Sequence, residues 1–173
     1  DREYVVLVDE QDNETGLMEK MQAHVEGKLH RAISVFVFNS KNEMLLQQRA
    51  AGKYHSALLW TNTCCSHPRQ GETTLAAAGR RLREEMGMAC NLKEAFTFIY
   101  KAKLEGDLTE HELDHVFVGT TDDLPVPDRL EVAAWRYISI DDLHKELEAS
   151  PGSFTEWFKI CLRDWESQLH NKV

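Results

Sequence analysis

Two carboxylates, Glu110 and Glu112, stand two residues apart in a run that reads as a strand, where period-two alternation projects both from one face. His24, His30 and His67 could join them from loops. Three imidazoles and two carboxylates make a mixed nitrogen and oxygen set, suited to Mn²⁺, Fe²⁺, Zn²⁺ or Mg²⁺ and unlike a closed thiolate zinc site. Spacing alone carries little weight, because scattered histidines are more often surface or packing residues. A second constellation is Arg80-Arg81-Leu82-Arg83-Glu84-Glu85-Met86-Gly87-Met88. Arg81 lies one helical turn before Glu85, so cation and carboxylate share a side, although charges on the polar side of a helix are ordinarily just solvated. A third is the thiol pair Cys64 and Cys65, and a cysteine in an apolar strand is usually an inert small hydrophobe. Tyr100 and Trp157 read equally well as core aromatics.

Those side chains need elements to hold them. Tyr4 to Val8 is a β-branched run, followed by a turn-forming segment, Asp9 to Gly16, that leads to a second edge. Ala32 to Phe38 is apolar on both faces and predicts a central strand; the turn formers 39–42 and the run Met44 to Arg49 then predict an antiparallel hairpin. Residues 50–71 show no clear period and read as a functional loop region. Leu75, Ala78, Gly79, Leu82 and Met86 recur at three and four, predicting a half-buried helix from Glu72 to Met86 that stops at Gly87. Phe96 to Lys103, Leu113 to Gly119 and Ala133 to Ile138 are strand candidates. Ser139 is placed to cap a helix beginning near Asp141 and Ser153 one running to about Leu169, the latter with a stripe of Phe154, Trp157, Phe158, Cys161, Leu162 and Trp165. No internal repeat is visible, and the mixed order predicts an α+β or α/β sandwich in a single domain, 1–173.

Composition narrows the function classes. A chain of 173 residues with 42% hydrophobic residues can bury a continuous core. Its formal charge of -9 argues against broad binding to nucleic acid or anionic membrane, so an anionic ligand must meet local cations or a metal. No apolar run approaches the ~20 residues that span a bilayer. The opening Asp-Arg-Glu-Tyr has neither signal region nor initiator Met, which reads as a trimmed cytoplasmic protein. Four cysteines without C-x-x-C spacing read as free thiols in a reducing compartment.

The segment 66–88 resembles a Nudix box, G-x5-E-x7-R-E-U-x-E-E-x-G-U with U aliphatic: Glu72, Arg80, Leu82, Glu84, Glu85, Gly87 and Met88 fall on its fixed positions. Ser66 replaces its first Gly, and Arg81 replaces a catalytic, metal-binding Glu. Upstream, Trp60-Thr61-Asn62-Thr63-Cys64-Cys65-Ser66-His67-Pro68 is similar to the signature of type I isopentenyl-diphosphate isomerases, degenerate members of the Nudix fold, and that resemblance accounts for both departures. It extends through His24, His30 with Arg31-Ala32, Phe36 to Asn39, Leu45 to Arg49, Tyr100, Glu110-His111-Glu112 and Trp157, in order and over most of the chain.

The resemblance implies a Nudix-like α/β/α sandwich with a mixed sheet and an enzyme that interconverts isopentenyl and dimethylallyl diphosphates in isoprenoid biosynthesis, transposing a C=C bond. It implies Cys65 and Glu112 as the acid/base pair, with Tyr100 polarising Glu112 and the face of Trp157 stabilising a developing tertiary cation. His24, His30, His67, Glu110 and Glu112 become ligands of one ion, Mn²⁺, Zn²⁺ or Mg²⁺. Glu85 and the backbone carbonyl of Cys65 become the site of a second, Mg²⁺, at the diphosphate. Lys20, Arg49, Lys53 and Arg81 are implied near the diphosphate. The expected partner is this small diphosphate alone, with the chain a cytoplasmic monomer and neither nucleic acid nor membrane involved. Two rivals stay open at this level. A Nudix hydrolase of nucleoside diphosphate derivatives would need the Glu that Arg81 replaces, and a noncatalytic binding module would keep the fold without the chemistry.

Overall fold

The computed structural model describes residues 3–170; residues 1, 2 and 171–173 of the expected span 1–173 lie outside the described residues. The chain opens with an antiparallel pair, β1 (Tyr4–Val8) and β2 (Glu14–Glu19), whose turn is tied by the Asp9 carboxylate accepting from the N–H groups of Gln11 and Asn13. A short helix not expected from the sequence follows, α1 (Lys20–Glu26), capped by the Glu19 carboxylate on the Gln22 N–H and stopped by Gly27 in the left-handed region. Seven residues are too few for a 3.6-residue period to show.

The next strand, β3 (His30–Phe38), is central as expected, buried at every position but Arg31. It pairs with β1, with β6 (Cys64–Ser66) and, in parallel, with β8 (Thr109–Thr120). The hairpin expected between β3 and β4 (Met44–Arg49) exists only at its turn, Phe38 opposite Met44. Beyond that pair the strands part, because β4 takes β5 (Trp60–Thr61) and β9 (Val132–Ile138) as partners while β3 takes β6 and β8. The region 50–71, expected as loop, therefore contains the two short strands β5 and β6. The helix expected from Glu72 is α2 (Thr74–Met86), capped by the Thr73 hydroxyl on the Ala76 N–H and ending at Gly87. After it, β7 (Lys93–Lys103) and β8 form a long antiparallel ribbon.

Ser139 caps α3 (Ile140–Ala149) as expected. The last helix, α4 (Glu156–His170), starts later than a Ser153 cap would allow. Residues 151–153 form a 3₁₀ turn, and Thr155 donates its N–H to the Trp60 carbonyl of β5 while its own carbonyl accepts the Lys159 N–H, so the helix starts after Thr155 and not after Ser153. Alternation along β3 sorts the two cores: Ile33, Val35 and Val37 pack with α2, while Phe36 and Phe38 pack in the core that holds Leu143 of α3 and Trp157, Phe158 and Cys161 of α4. The result is an α+β fold, a mixed sheet between helical layers, as expected. No helix among the described residues is long and apolar enough to cross a membrane.

The segment 121–131 crosses the end of α2, where the N–H groups of Val126 and Asp128 cap the carbonyls of Met86 and Glu85. Gly87, at φ 62°, allows that approach; a Cβ there would lie 2.3 Å from the Val126 carbonyl oxygen. Gly87→Ala is expected to lower stability by about 1–3 kcal/mol, read as a lower urea midpoint at unchanged slope.

Candidate active site

Strand β8 presents Glu110 and Glu112 from one face, both 5% exposed. Parallel pairing sets His30, the first residue of β3, opposite Glu112. His24 arrives from α1 and not from a loop; His30 likewise belongs to a strand, and His67 follows β6. Their rings gather with centroids 5.0–6.2 Å apart. The Nε2 atoms of His30 and His67 lie 3.1 and 3.0 Å from the same oxygen, Glu112 Oε2.

The tautomers are set from behind. His24 Nδ1–H donates to the Lys20 carbonyl at 2.8 Å and His30 Nδ1–H to the Lys28 carbonyl at 2.9 Å, so each neutral ring carries its lone pair on Nε2. A neutral His30 would set that lone pair against a carboxylate oxygen, so the contact calls for positive charge, supplied by a proton, which Glu112 favours on His30 against the cost of burial, or by an ion in its place. Adjacent donors of an ion with bonds of ~2.1 Å stand ~3.0 Å apart in an octahedron, the separation seen here, so the donor set fits a divalent ion.

Burial also shapes the ionisation. Burial and the charge of Glu112 hold Glu110 well above the usual carboxylate range. Burial pushes Glu112 the same way, but the hydrogen bonds of His30 and His67 outweigh it and bring Glu112 well below that range. Burial lowers His24, and it takes His67 down to about 4 against the pull of Glu112. The Tyr100 hydroxyl reaches both carboxylates, Glu112 Oε1 most closely and Glu110 Oε1 at 3.1 Å.

The two adjacent thiols separate cleanly. Cys64 is fully buried in the α2 core, whereas Cys65 lines a cavity of about 580 Å³. Cys65 Sγ donates to Asn62 Oδ1 at 3.1 Å and accepts from the Trp157 indole N–H at 3.0 Å. Burial pushes the Cys65 thiol up, the Asp114 carboxylate adding to it. Lys20, Arg49, Lys53, His67, Arg81, Tyr100, Glu110, Glu112 and Trp157 share the cavity wall with Cys65. His24, His30 and Glu85 are buried behind it.

The cations form a second cluster. Arg81 Nη2 lies 3.2 Å from Glu85 Oε2, the juxtaposition their helical spacing predicts. Glu131 binds both Lys53, at 2.5 Å, and Arg81, at 3.6 Å. Arg49 lies 5.2 Å from the Trp157 ring, and Lys20 pairs with Glu3 at 2.6 Å. Glu85 Oε2 is buried with no hydrogen bond among the described residues, its charge met by the Arg81 guanidinium, which leaves acceptor capacity for a second cation.

Sequence reading missed several residues here. Asn62 lay within a quoted motif and had a signal to offer. Ser34, whose hydroxyl donates to Asp114 at 2.6 Å and lies 3.5 Å from Cys65 Sγ, had none, nor did Glu131 or His55.

A match to the NUDIX domain family spans residues 28–158. An isopentenyl-diphosphate Delta-isomerase of Pectobacterium atrosepticum is 55% identical over 156 residues, 90% of this chain and 87% of that protein. This chain belongs to the isopentenyl-diphosphate Delta-isomerase family of Nudix proteins. Another isomerase of that name, from Serratia proteamaculans, is 49% identical and covers 94% of this chain and 90% of its own length. Among solved structures, one from Deinococcus radiodurans aligns with a TM-score of 0.77 at 16% identity, over 94% of this chain and 99% of that one. A MutT protein from Methanosarcina mazei aligns at 0.66 and 17%, over 84% and 96%. These two show the fold alone. Membership of the isomerase family implies a divalent metal, and the His/Glu group supplies a place that fits one.

His67→Asn in this isomerase is expected to lower bound divalent metal, measured by elemental analysis of folded protein after dialysis. Unchanged metal content would remove His67 from the ligand set.

Proposed function

We propose that this protein interconverts isopentenyl diphosphate and dimethylallyl diphosphate, with Cys65 and Glu112 exchanging protons with the allyl unit inside the cavity that both line. The observation that carries this reading is the shared cavity itself, with Trp157 hydrogen-bonded to one acid/base group and Tyr100 to the other. An unactivated alkene needs a proton delivered to its terminal carbon and another removed from the far methylene, so two groups must work on one bound substrate. One gives a proton first and the other then takes one, and the pair holds the same number before and after. Between the two steps a tertiary cation forms, and the Trp157 ring supplies a π-face to it. Tyr100 holds the Glu112 carboxylate in place from the side opposite His30 and His67.

The diphosphate belongs with the cations Arg49, Lys53, Arg81 and Lys20, displacing the hold of Glu131 on Lys53 and Arg81. His24, His30, His67, Glu110 and Glu112 would hold Mn²⁺, Zn²⁺ or Mg²⁺, and Glu85 with the Cys65 carbonyl would hold Mg²⁺. When bound, the first ion supplies positive charge beside Glu112 and the second neutralises diphosphate oxygens. Arg81 stands where hydrolysis in this fold needs a metal-binding carboxylate, which favours holding the diphosphate over cutting it. We read residues 1–173 as one domain, acting as a monomer in the cytoplasm.

The test is incubation with isopentenyl diphosphate and Mg²⁺, following the isomer ratio by NMR. Isomer formation without phosphate or pyrophosphate release is expected; sustained hydrolysis of a nucleotide substrate at enzyme-like rates would overturn the assignment. Cys65→Ala should lower kcat by about 10²–10⁴-fold in a folded protein, while Cys64→Ala retains most activity. Equal loss from both would mean that the wrong sulfur has been assigned. Arg81→Glu should raise KM for the diphosphate and slow isomerisation.

A further inference from the structure

The bend between β4 and β5 carries a fourth buried imidazole, His55, outside the ligand set considered so far. It is 3% exposed, packed edge-on against Tyr54 and Trp157 with ring centroids 4.3 and 5.8 Å away. The backbone is bent to bury it. Ser56 and Leu58 hold φ of 53° and 63°, left-handed conformations that non-glycine residues rarely adopt. The bend is held by the Arg49 guanidinium donating to the His55 carbonyl at 3.1 Å, and by the Ser56 N–H donating to the Glu105 carboxylate.

The ring has a defined direction. Its Nδ1 lies 3.0 Å from Ser56 Oγ, and its Nε2 faces Glu110 Oε2 at 3.6 Å, too long for a hydrogen bond. The other oxygen of Glu110 lies against the Tyr100 hydroxyl at 3.1 Å, so Oε2 and the His55 Nε2 are left facing each other. His24, His55 and Glu110 place one donor atom each within 4.8 Å of one another, and so do His24, His30 and Glu112. The two triads share His24. Its Nδ1–H is spent on the Lys20 carbonyl, which leaves one lone pair, and one lone pair binds one ion. His24 thus serves a single ion, and His55 and Glu110 each offer a donor atom within 4.8 Å of its own.

We propose that His55 is a further ligand of the divalent ion assigned to His24, His30, His67, Glu110 and Glu112, bound through Nε2 beside Glu110. The proposal rests on the metal assignment made above and adds a donor that turns a three-imidazole set into a four-imidazole one. A fourth imidazole shifts the site away from Mg²⁺, which prefers oxygen and retained water, towards Zn²⁺, Co²⁺ or Fe²⁺.

The test uses the full-length protein, stripped with a chelator and titrated with Zn²⁺ in the absence of substrate. In ¹⁵N-labelled wild type, the Nε2 resonance of His55 should move with those of His24, His30 and His67 to its zinc-bound position. A His55 resonance unmoved while the others shift would overturn the proposal. Competition with a chromophoric chelator should show zinc binding weakened about 10–100-fold in His55→Gln and His55→Ala, with His144→Ala, on exposed α3, unchanged. If His55 variants keep wild-type zinc affinity and only KM for the diphosphate changes, His55 is pocket wall and the proposal fails. Should neither variant fold, the wild-type spectrum decides alone. Because no substrate is present, zinc loss in a protein that does not isomerise would sink the functional reading and leave this one standing; an active isomerase with a silent His55 would do the reverse.

Discussion

The cost of burying two carboxylates side by side governs this molecule. Glu110 and Glu112 lie two apart on one strand face, almost out of reach of water, and isolated charges there are heavily penalised. The surroundings answer in two ways. Glu112 receives His30, His67 and Tyr100, partners enough to keep it charged, while Glu110 is driven towards its neutral form by burial and by its neighbour. The pair is thus asymmetric before any ion enters. One carboxylate is suited to holding negative charge, and its twin is compensated only in part by the protein.

Everything around that pair is placed by β3. This one strand has β8, with the carboxylates, on one edge and β6, with Cys65, on the other. Its own first residue supplies an imidazole, and its Ser34 meets both Asp114 of β8 and Cys65 of β6. A slip of one residue would turn every side chain of the strand to the opposite face and exchange the two cores. The register is protected by burial on both faces, with Phe36 and Phe38 committed to one core and Ile33, Val35 and Val37 to the other. Chemistry and packing are specified by the same nine residues.

Most elements were legible in the sequence because their signals are local. The 3.6-residue recurrence before Gly87, the doubly apolar Ala32–Phe38 run and the Ser139 cap each state their structure within a few positions. The failures share a cause. The hairpin between β3 and β4 opens because each strand finds distant partners, and Ser153 loses its helix because Thr155 binds β5. Helix α1 was too short to have a period. At the site, Glu110 and Glu112 declare themselves by alternation, and Arg81 and Glu85 by helical spacing. His24, His30 and His67 came together on resemblance, since no local rule relates a helix, a strand start and a loop. Glu131 and His55 carried no signal because their roles depend on contacts across the fold, Glu131 with Lys53 and Arg81, His55 with Glu110 and Trp157.

The parallel pairing of β3 with β8 joins residues 82 positions apart at His30 and Glu112. Loop closure on that scale is entropically slow, and contacts of long sequence separation come late in folding. A chain emerging from the ribosome has His24 and His30 long before it has Glu110 and Glu112, so no partial product can assemble the donor set. An ion captured by the finished set binds the native state and not its precursors, and it adds RT ln(1 + [M]/Kd) to the stability of the whole sheet. Metal supply and the lifetime of the folded enzyme are in this way linked quantities: a cell short of the ion holds a protein that is more readily unfolded and degraded.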